Sequence, residues 1–198
     1  MVLSAQSIRK AGIIKPFHER TIHMGMSFGL GPNGYDVRIA ESIIIPPKGC
    51  VLASTVEYIE MPDNLMARVA DKSTWARRFL SIFNTTIDAG WKGYLTLELV
   101  NNGDSVLKID EGSPIAKIVF ERLDEPTELL YDGGYQDQQK GGQPAKDQDE
   151  LPGLQDDGPL FIAKPKSKPK SHKVRIESDE YACSCGARWD KSEGDKHP

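Results

Sequence analysis

No stretch of this chain approaches the roughly 18 consecutive apolar residues of a membrane-spanning helix, and its N-terminus lacks the long apolar core of a signal peptide. These absences argue against a membrane role and predict a cytoplasmic protein. Cysteine is scarce: Cys50, Cys183 and Cys185 are too few and too clustered for a disulfide framework, which agrees with a reducing compartment. Neither sign of charge dominates, and a net charge of -4 brings no general affinity for nucleic acid or for a membrane surface. Helical periodicity is nearly missing as well. Residues 5–11 read as a short helix, and no internal repeat is present.

What is present is a series of short apolar runs separated by turn residues. Examples are 42–45 before Pro46-Pro47-Lys-Gly49, 51–59 before Met61-Pro-Asp-Asn64, and 115–120 after Glu111-Gly-Ser-Pro114. That punctuation predicts a mostly β domain. A chain of 198 residues with 38% apolar content has material for one core and an appendage. At Tyr131 the composition shifts to Gly, Gln, Asp and Lys, and over 164–170 lysine alternates with proline and serine, as in an extended, solvated linker. The chain therefore divides into a β domain over 1–146, a flexible Lys/Pro linker over 147–172 and a small cysteine-containing tail over 173–198. Within the tail, 173–176 reads as a strand and 180–189 as a knuckle.

The most informative segment is 71–103. Period-two alternation places Leu95, Leu97 and Leu99 on the inner face of a strand and Glu98 on the outer one. Taken alone, Glu98 is a solvated strand residue, since glutamate is rarely buried unless paired. Its surroundings point further. Lys72, Ser73, Thr74 and Arg77 gather two cations and two hydroxyls within six residues, a composition suited to anionic oxygens. Between them and the strand, residues 88–93 read as a turn punctuated by Gly90 and Gly93.

Three ordered elements stand here as Lys72-Ser-Thr-Trp-Ala-Arg77, Ile87-Asp-Ala-Gly-Trp-Lys-Gly93 and Leu97-Glu-Leu99. They resemble the K/R-S-S-x-A-R, I-D-x-G-W-x-G and L-E-[FL] elements of the deaminase branch of the dCTP deaminase and dUTPase superfamily. Gly34-Tyr-Asp-Val-Arg38 is similar to an early element of that family. Gly134-Tyr-Gln-Asp-Gln-Gln139 is similar to the C-terminal arm that closes over the nucleotide, here 131–146. The resemblance covers 1–146. It implies a distorted β-barrel of the dUTPase-like, β-clip type with a short N-terminal helix and an extended C-terminal tail. It also implies a homotrimer with active sites at subunit interfaces, so that Ser73 and Arg77 come from one chain and Glu98 from its neighbour.

Deaminating cytosine requires a base to take the proton of the attacking water and an acid to protonate the ring nitrogen and the departing ammonia. The resemblance assigns both roles to Glu98, with Ser73 and Arg77 holding the water and shaping the ring pocket. It places Lys72 and Thr74 on the phosphates, Asp88 on the deoxyribose hydroxyl and the strand segment Thr96, Leu97 and Glu98 on the base edge. In the arm, Tyr131 and Gln138 match nucleotide-touching positions. The arm lysine of the family is Gly134 here, leaving Lys140 or Lys146 as its replacement. Trp75, Trp91 and Arg38 read as structural. The H-x-E and P-C-x-x-C elements of zinc deaminases do not occur, so the chemistry is expected to be metal-free, with magnesium arriving on the triphosphate. The stretch between Arg77 and Asp88 is shorter than in cellular deaminases and is reminiscent of the bacteriophage branch, in which case the location is the host cytoplasm.

Three alternatives remain at this level. A dUTPase would use Asp88 to hold the attacking water, although its turn normally reads I-D-x-D-Y-x-G and its strand has an apolar residue in place of Glu98. A bifunctional enzyme would deaminate dCTP and then cleave dUTP in the same site. A non-catalytic nucleotide-binding regulator would have no need of Ser73, Arg77, Asp88 and Glu98 together. In the tail, Cys183 and Cys185 resemble half of a zinc knuckle, which His172 and His197 or cysteines of neighbouring subunits would complete; the plainer reading is a pair of free thiols.

Overall fold

The computed structural model describes residues 1–146, 161–162, 175–177, 180–182 and 188–190. The helix α1 (Ala5–Ala11) opens the chain and stops where Gly12 takes φ 65°, a left-handed conformation that glycine adopts without steric cost. The strands β1 (Ile14–Lys15), β2 (Thr21–His23), β3 (Met26–Gly31), β4 (Gly34–Arg38), β5 (Ile43–Ile45), β6 (Cys50–Glu60) and β7 (Leu65–Asp71) follow. After the four-residue helix α2 (Ser73–Ala76) come β8 (Leu80–Ile82), β9 (Thr86–Ile87), β10 (Lys92–Asn101), β11 (Leu107–Ile109) and β12 (Pro114–Arg122). The C-terminal region contributes β13 (Phe161–Ile162), β14 (Arg175–Glu177), β15 (Glu180–Ala182) and β16 (Arg188–Asp190).

The chain is mostly β, as the punctuation predicts, and its strands form a curled, half-barrel architecture in keeping with the barrel that the resemblance implies. One sheet runs β1-β6-β10-β8, the other β2-β3-β4-β12-β7-β9, and β11 pairs with β5. All of these pairings are antiparallel. Alternate residues of both sheets meet in one core: Val51, Ala53 and Ile59 of β6, Leu97 and Leu99 of β10, Tyr35 and Val37 of β4, and Ile118 and Phe120 of β12. Each large side chain fully withdrawn from water there contributes about 1.5–3 kcal/mol. Trp75 donates its indole N–H to the Pro114 carbonyl at 2.8 Å from a buried position, and Arg38 donates to Glu57 at 2.8 Å while lying over the Phe28 ring. Both residues are structural, as read from the sequence.

One expectation fails on β10. Leu97 and Leu99 are fully buried, but Leu95 is only partly so: it packs against the core and also lines the cavity that Glu98 lines. The pairing with β6 shifts register between Tyr94 and Thr96. The extra residues lie in β6, where Thr55, Val56 and Glu57 stand opposite the single residue Leu95, and such a bulge disrupts the ladder locally. The Leu95 N–H, removed from the ladder, donates to the Thr55 hydroxyl at 3.0 Å.

Within the predicted linker, Phe161 and Ile162 pair in parallel with Val51 and Leu52 of β6. In the tail, β15 pairs with both β14 and β16, close to where a strand and a knuckle are expected. Cys183, Cys185, His172 and His197 lie outside the described residues, as does the rest of the linker. Among the described residues no helix is long and apolar enough to cross a membrane.

Candidate active site

A cavity of about 550 Å³ opens beside β10, and Glu98 stands in its wall. Among the described residues, the three buried carboxylates each have a polar or charged partner, although Asp36 Oδ1 accepts no hydrogen bond. Glu57 takes the Arg38 backbone N–H and guanidinium, each at 2.8 Å. Glu41 takes the Ser54 N–H at 2.8 Å and its hydroxyl at 2.6 Å. Asp36 lies 2.8 Å from the Lys72 ammonium and 3.2 Å from that of Lys117. Glu98 has no such partner: its carboxylate accepts no hydrogen bond among the described residues, and desolvation pushes its pKa upward. A carboxyl group half-withdrawn from water, unpaired and facing a cavity is a candidate for proton transfer.

The remaining wall comes from four places in the sequence, of which β6 contributes Leu52. Asn84, Thr85, Thr86, Ile87 and Asp88 form one side. Trp91, Leu95 and Thr96 come from the turn and from β10, and Tyr131, Tyr135, Gln138, Gln143 and Ala145 come from the arm. Asp88 is exposed, and its Oδ1 accepts from the Thr86 hydroxyl at 3.3 Å. Trp91 is buried in the turn, where its indole N–H donates to the Tyr135 carbonyl at 2.8 Å.

The arm is fastened along its length. Tyr131 donates its N–H to Ala89, Asp137 to Lys92 and Tyr94 to Gln138, each at 2.9 Å. The Gln136 side chain bridges the Lys92 N–H and the Gly90 carbonyl. Farther on, the Gly141 N–H donates to the Ser54 hydroxyl at 2.9 Å and the Gln143 N–H to the Thr96 hydroxyl at 3.2 Å. The glycine at 93 follows from this docking: its φ is 151°, and a Cβ there would stand 2.7 Å from the Gln138 nitrogen. The plain alternative for this polar segment, a free solvated tail, does not describe it.

The predicted site residues thus fall into two groups. Glu98, Asp88, Thr96, Tyr131 and Gln138 line one cavity, and Leu97 lies directly beneath it with its side chain in the core. Ser73, Thr74 and Arg77 sit on and just after α2, outside the cavity wall. Ser73 and Arg77 are exposed, and the Arg77 guanidinium has no hydrogen-bond or ion-pair partner among the described residues. Lys72 is buried with its ammonium on Asp36, so in this conformation it is not free to meet a phosphate. Lys140 also stands apart, its ammonium 5.0 Å from the centre of the Tyr94 ring.

The sequence reading missed Asn84, Gln143 and Tyr135. Asn84 donates to the Thr96 carbonyl at 2.6 Å and accepts from the Glu98 N–H at 3.2 Å. Two of the strand groups expected to read the base edge are therefore already engaged. Tyr135 lay within a quoted element and needed only the arm's path to be placed. An asparagine among threonines carries no comparable signal.

A family model described as dCTP deaminase-like matches residues 35–123. The chain is 32% identical over 154 residues to the dCTP deaminase of Thermococcus sibiricus, covering 70% of this chain and 94% of that one. It is 32% identical over 163 residues to the dCTP deaminase of Gemmatimonas aurantiaca, covering 66% and 89%. Among solved structures it is similar to the native EIAV dUTPase at 27% identity and a TM-score of 0.43, over 51% of this chain and 84% of that one.

Proposed function

The chain belongs to the dCTP deaminase family, a family of enzymes, and we propose that it hydrolyses dCTP to dUTP and ammonia with Glu98 as both general base and general acid. The observation that carries this reading is the Glu98 carboxyl, desolvated and unpaired in the wall of the cavity. As a carboxylate it takes a proton from water as the oxygen attacks ring carbon 4. The resulting acid protonates the ring nitrogen, and a second transfer converts the amino group to ammonia, which leaves as the carbonyl forms. The raised pKa brings the two protonation states closer to equal occupancy near neutrality, which suits a group that must both accept and release a proton.

The rest of the substrate follows the geometry. Asp88 faces the deoxyribose hydroxyl, Thr96 and Gln138 the base, and Tyr131 covers the sugar, since all four line the cavity with Glu98. Ser73, Thr74 and Arg77 act in the cavity of a neighbouring subunit, in a homotrimer. The position of all three outside their own chain's cavity supports this, as do the exposure of Ser73 and Arg77 and the exposed Phe79 and Phe83 on either side of β8. Lys72 reaches a phosphate by exchanging Asp36 for it, while Lys117 remains to neutralise Asp36. Magnesium comes with the triphosphate as part of the substrate.

A second reading has one observation in its favour. Asp88 presents an exposed carboxylate to the same cavity, so a water held there would allow the dUTP formed to be cleaved to dUMP and pyrophosphate. Incubation with magnesium and dCTP or dUTP, followed by ion-exchange separation, distinguishes the cases. Accumulating dUTP means deamination alone, and passage to dUMP means both activities. Cleavage of dUTP with dCTP untouched would remove the role assigned to Glu98, and nucleotide binding without any product would point to a regulator.

A further inference from the structure

Strand β8 stops at Ile82, which pairs with Leu99, and one further ladder bond runs from the Phe83 N–H to the Glu98 carbonyl at 3.0 Å. Beyond that point the main chain leaves β10, and residues 83–85 belong to no strand. The Glu98 N–H and the Thr96 carbonyl on this edge face the side where a strand partner has ended. The Asn84 side chain fills the place. Its Nδ2 donates to the Thr96 carbonyl at 2.6 Å and its Oδ1 accepts from the Glu98 N–H at 3.2 Å. A primary amide carries one donor edge and one acceptor, as a peptide unit does, so it stands in for one residue of the missing strand. The pattern also sets the orientation of the amide, because the reversed one would face oxygen to oxygen.

We infer that Asn84 is a positioning residue for Glu98, a surrogate peptide that keeps the edge of β10 in register at the catalytic carboxylate while leaving the adjoining cavity open. This rests on the proposed role of Glu98, but its geometry does not depend on the substrate. With Phe83 and Asn84 in place, both backbone polar groups of Glu98 are held from one loop. Thr96 is held from the same loop through its carbonyl. Its N–H reaches Gln138 only at 3.4 Å, so this is the group a base can claim, while the hydroxyl also accepts from the Gln143 N–H at 3.2 Å. Aspartate in place of Asn84 would oppose an acceptor to the Thr96 carbonyl and add negative charge to the wall that holds Glu98. Alanine would leave both β10 groups without a protein partner.

The test compares Asn84→Ala and Asn84→Asp with the wild type by thermal melting, by carbon-13 NMR titration of the Glu98 carboxyl, and by kcat and KM for dCTP against pH. Asn84→Ala is expected to lower kcat by about 10–10²-fold with a smaller change in KM, the scale of a small misplacement of a reacting group. It should also return the Glu98 titration towards the ordinary glutamate range as water enters. Asn84→Asp is expected to move that titration, and the acid limb of kcat with it, to higher pH. If the Glu98 titration is unmoved in both folded variants, Asn84 does not position Glu98. If the titration moves while the wild type leaves dCTP unchanged, the positioning role stands and the assigned reaction fails.

Discussion

The two ends of the motif segment meet different surroundings. Residues of the 87–98 stretch line a cavity within their own chain and are bonded to the arm, whereas none of residues 72–77 lines it. Among the described residues, the first region carries a desolvated carboxylate without a partner; the second carries an exposed guanidinium without one and a lysine tied to Asp36. Motifs that lie close in sequence are thus separated within a single fold, and each region lacks what the other has. The contrast is the physical argument for sites completed by a second copy of the chain.

Glu98→Gln should break the first region alone, lowering dCTP turnover by roughly 10²–10⁴-fold, as loss of a general acid-base does. Its stability carries a sign that separates chemistry from folding. Because the folded-state pKa of Glu98 is raised, the stability linked to its proton is present below the unfolded pKa and is lost as pH rises through the folded one. At neutral pH the glutamine variant should therefore melt no lower than the wild type. For the same reason the acid limb of wild-type kcat should lie above the ordinary glutamate range, and a limb within that range would count against the assignment.

Arg77→Ala should lower turnover by about 10²-fold, as loss of a positioning group does, with an unchanged melting temperature because the side chain is exposed. Refolding it together with Glu98→Gln sharpens the comparison. Shared sites regain activity in mixed oligomers, since some cavities then receive an intact Glu98 and an intact Arg77. Recovery of nothing above the two separate variants would place the whole site in one chain.

Asp36→Ala should leave the cavity intact and unfold the protein more easily by roughly 3–5 kcal/mol in urea titration, because it strips a buried lysine of its anion. The smallest effect is expected at Gly93. Gly93→Ala imposes strain of roughly 1–3 kcal/mol at a positive φ against the arm. That should loosen the arm, raising KM more than it lowers kcat and speeding proteolysis at 131–146.

Much of this contrast was legible before the fold was known. Alternation on β10 located Glu98 opposite Leu97 and Leu99, the glycines at 90 and 93 marked the turn, and the structural readings of Trp75 and Arg38 agree with their buried contacts. Leu95 was misread because the irregularity beside it lies in its partner strand, where three residues of β6 oppose it, and nothing in the β10 run records that. Lys72 read as a free cation because its partner lies 36 positions away. Asn84 carried no signal for a similar reason: a side-chain amide serves as a strand residue only where a strand happens to end.

The sequence by itself determined the residue types and their local periodicity, and hence the β architecture, the family and the identity of the proton-transfer residue proposed here. These depend on near neighbours along the chain, whose spacing the backbone dictates. Tertiary structure alone decided which carboxylate stays unpaired, which lysine is held, and which side of the motif faces the cavity. Each of those outcomes depends on the distance and desolvation of groups brought together from remote positions, and no local pattern encodes either quantity.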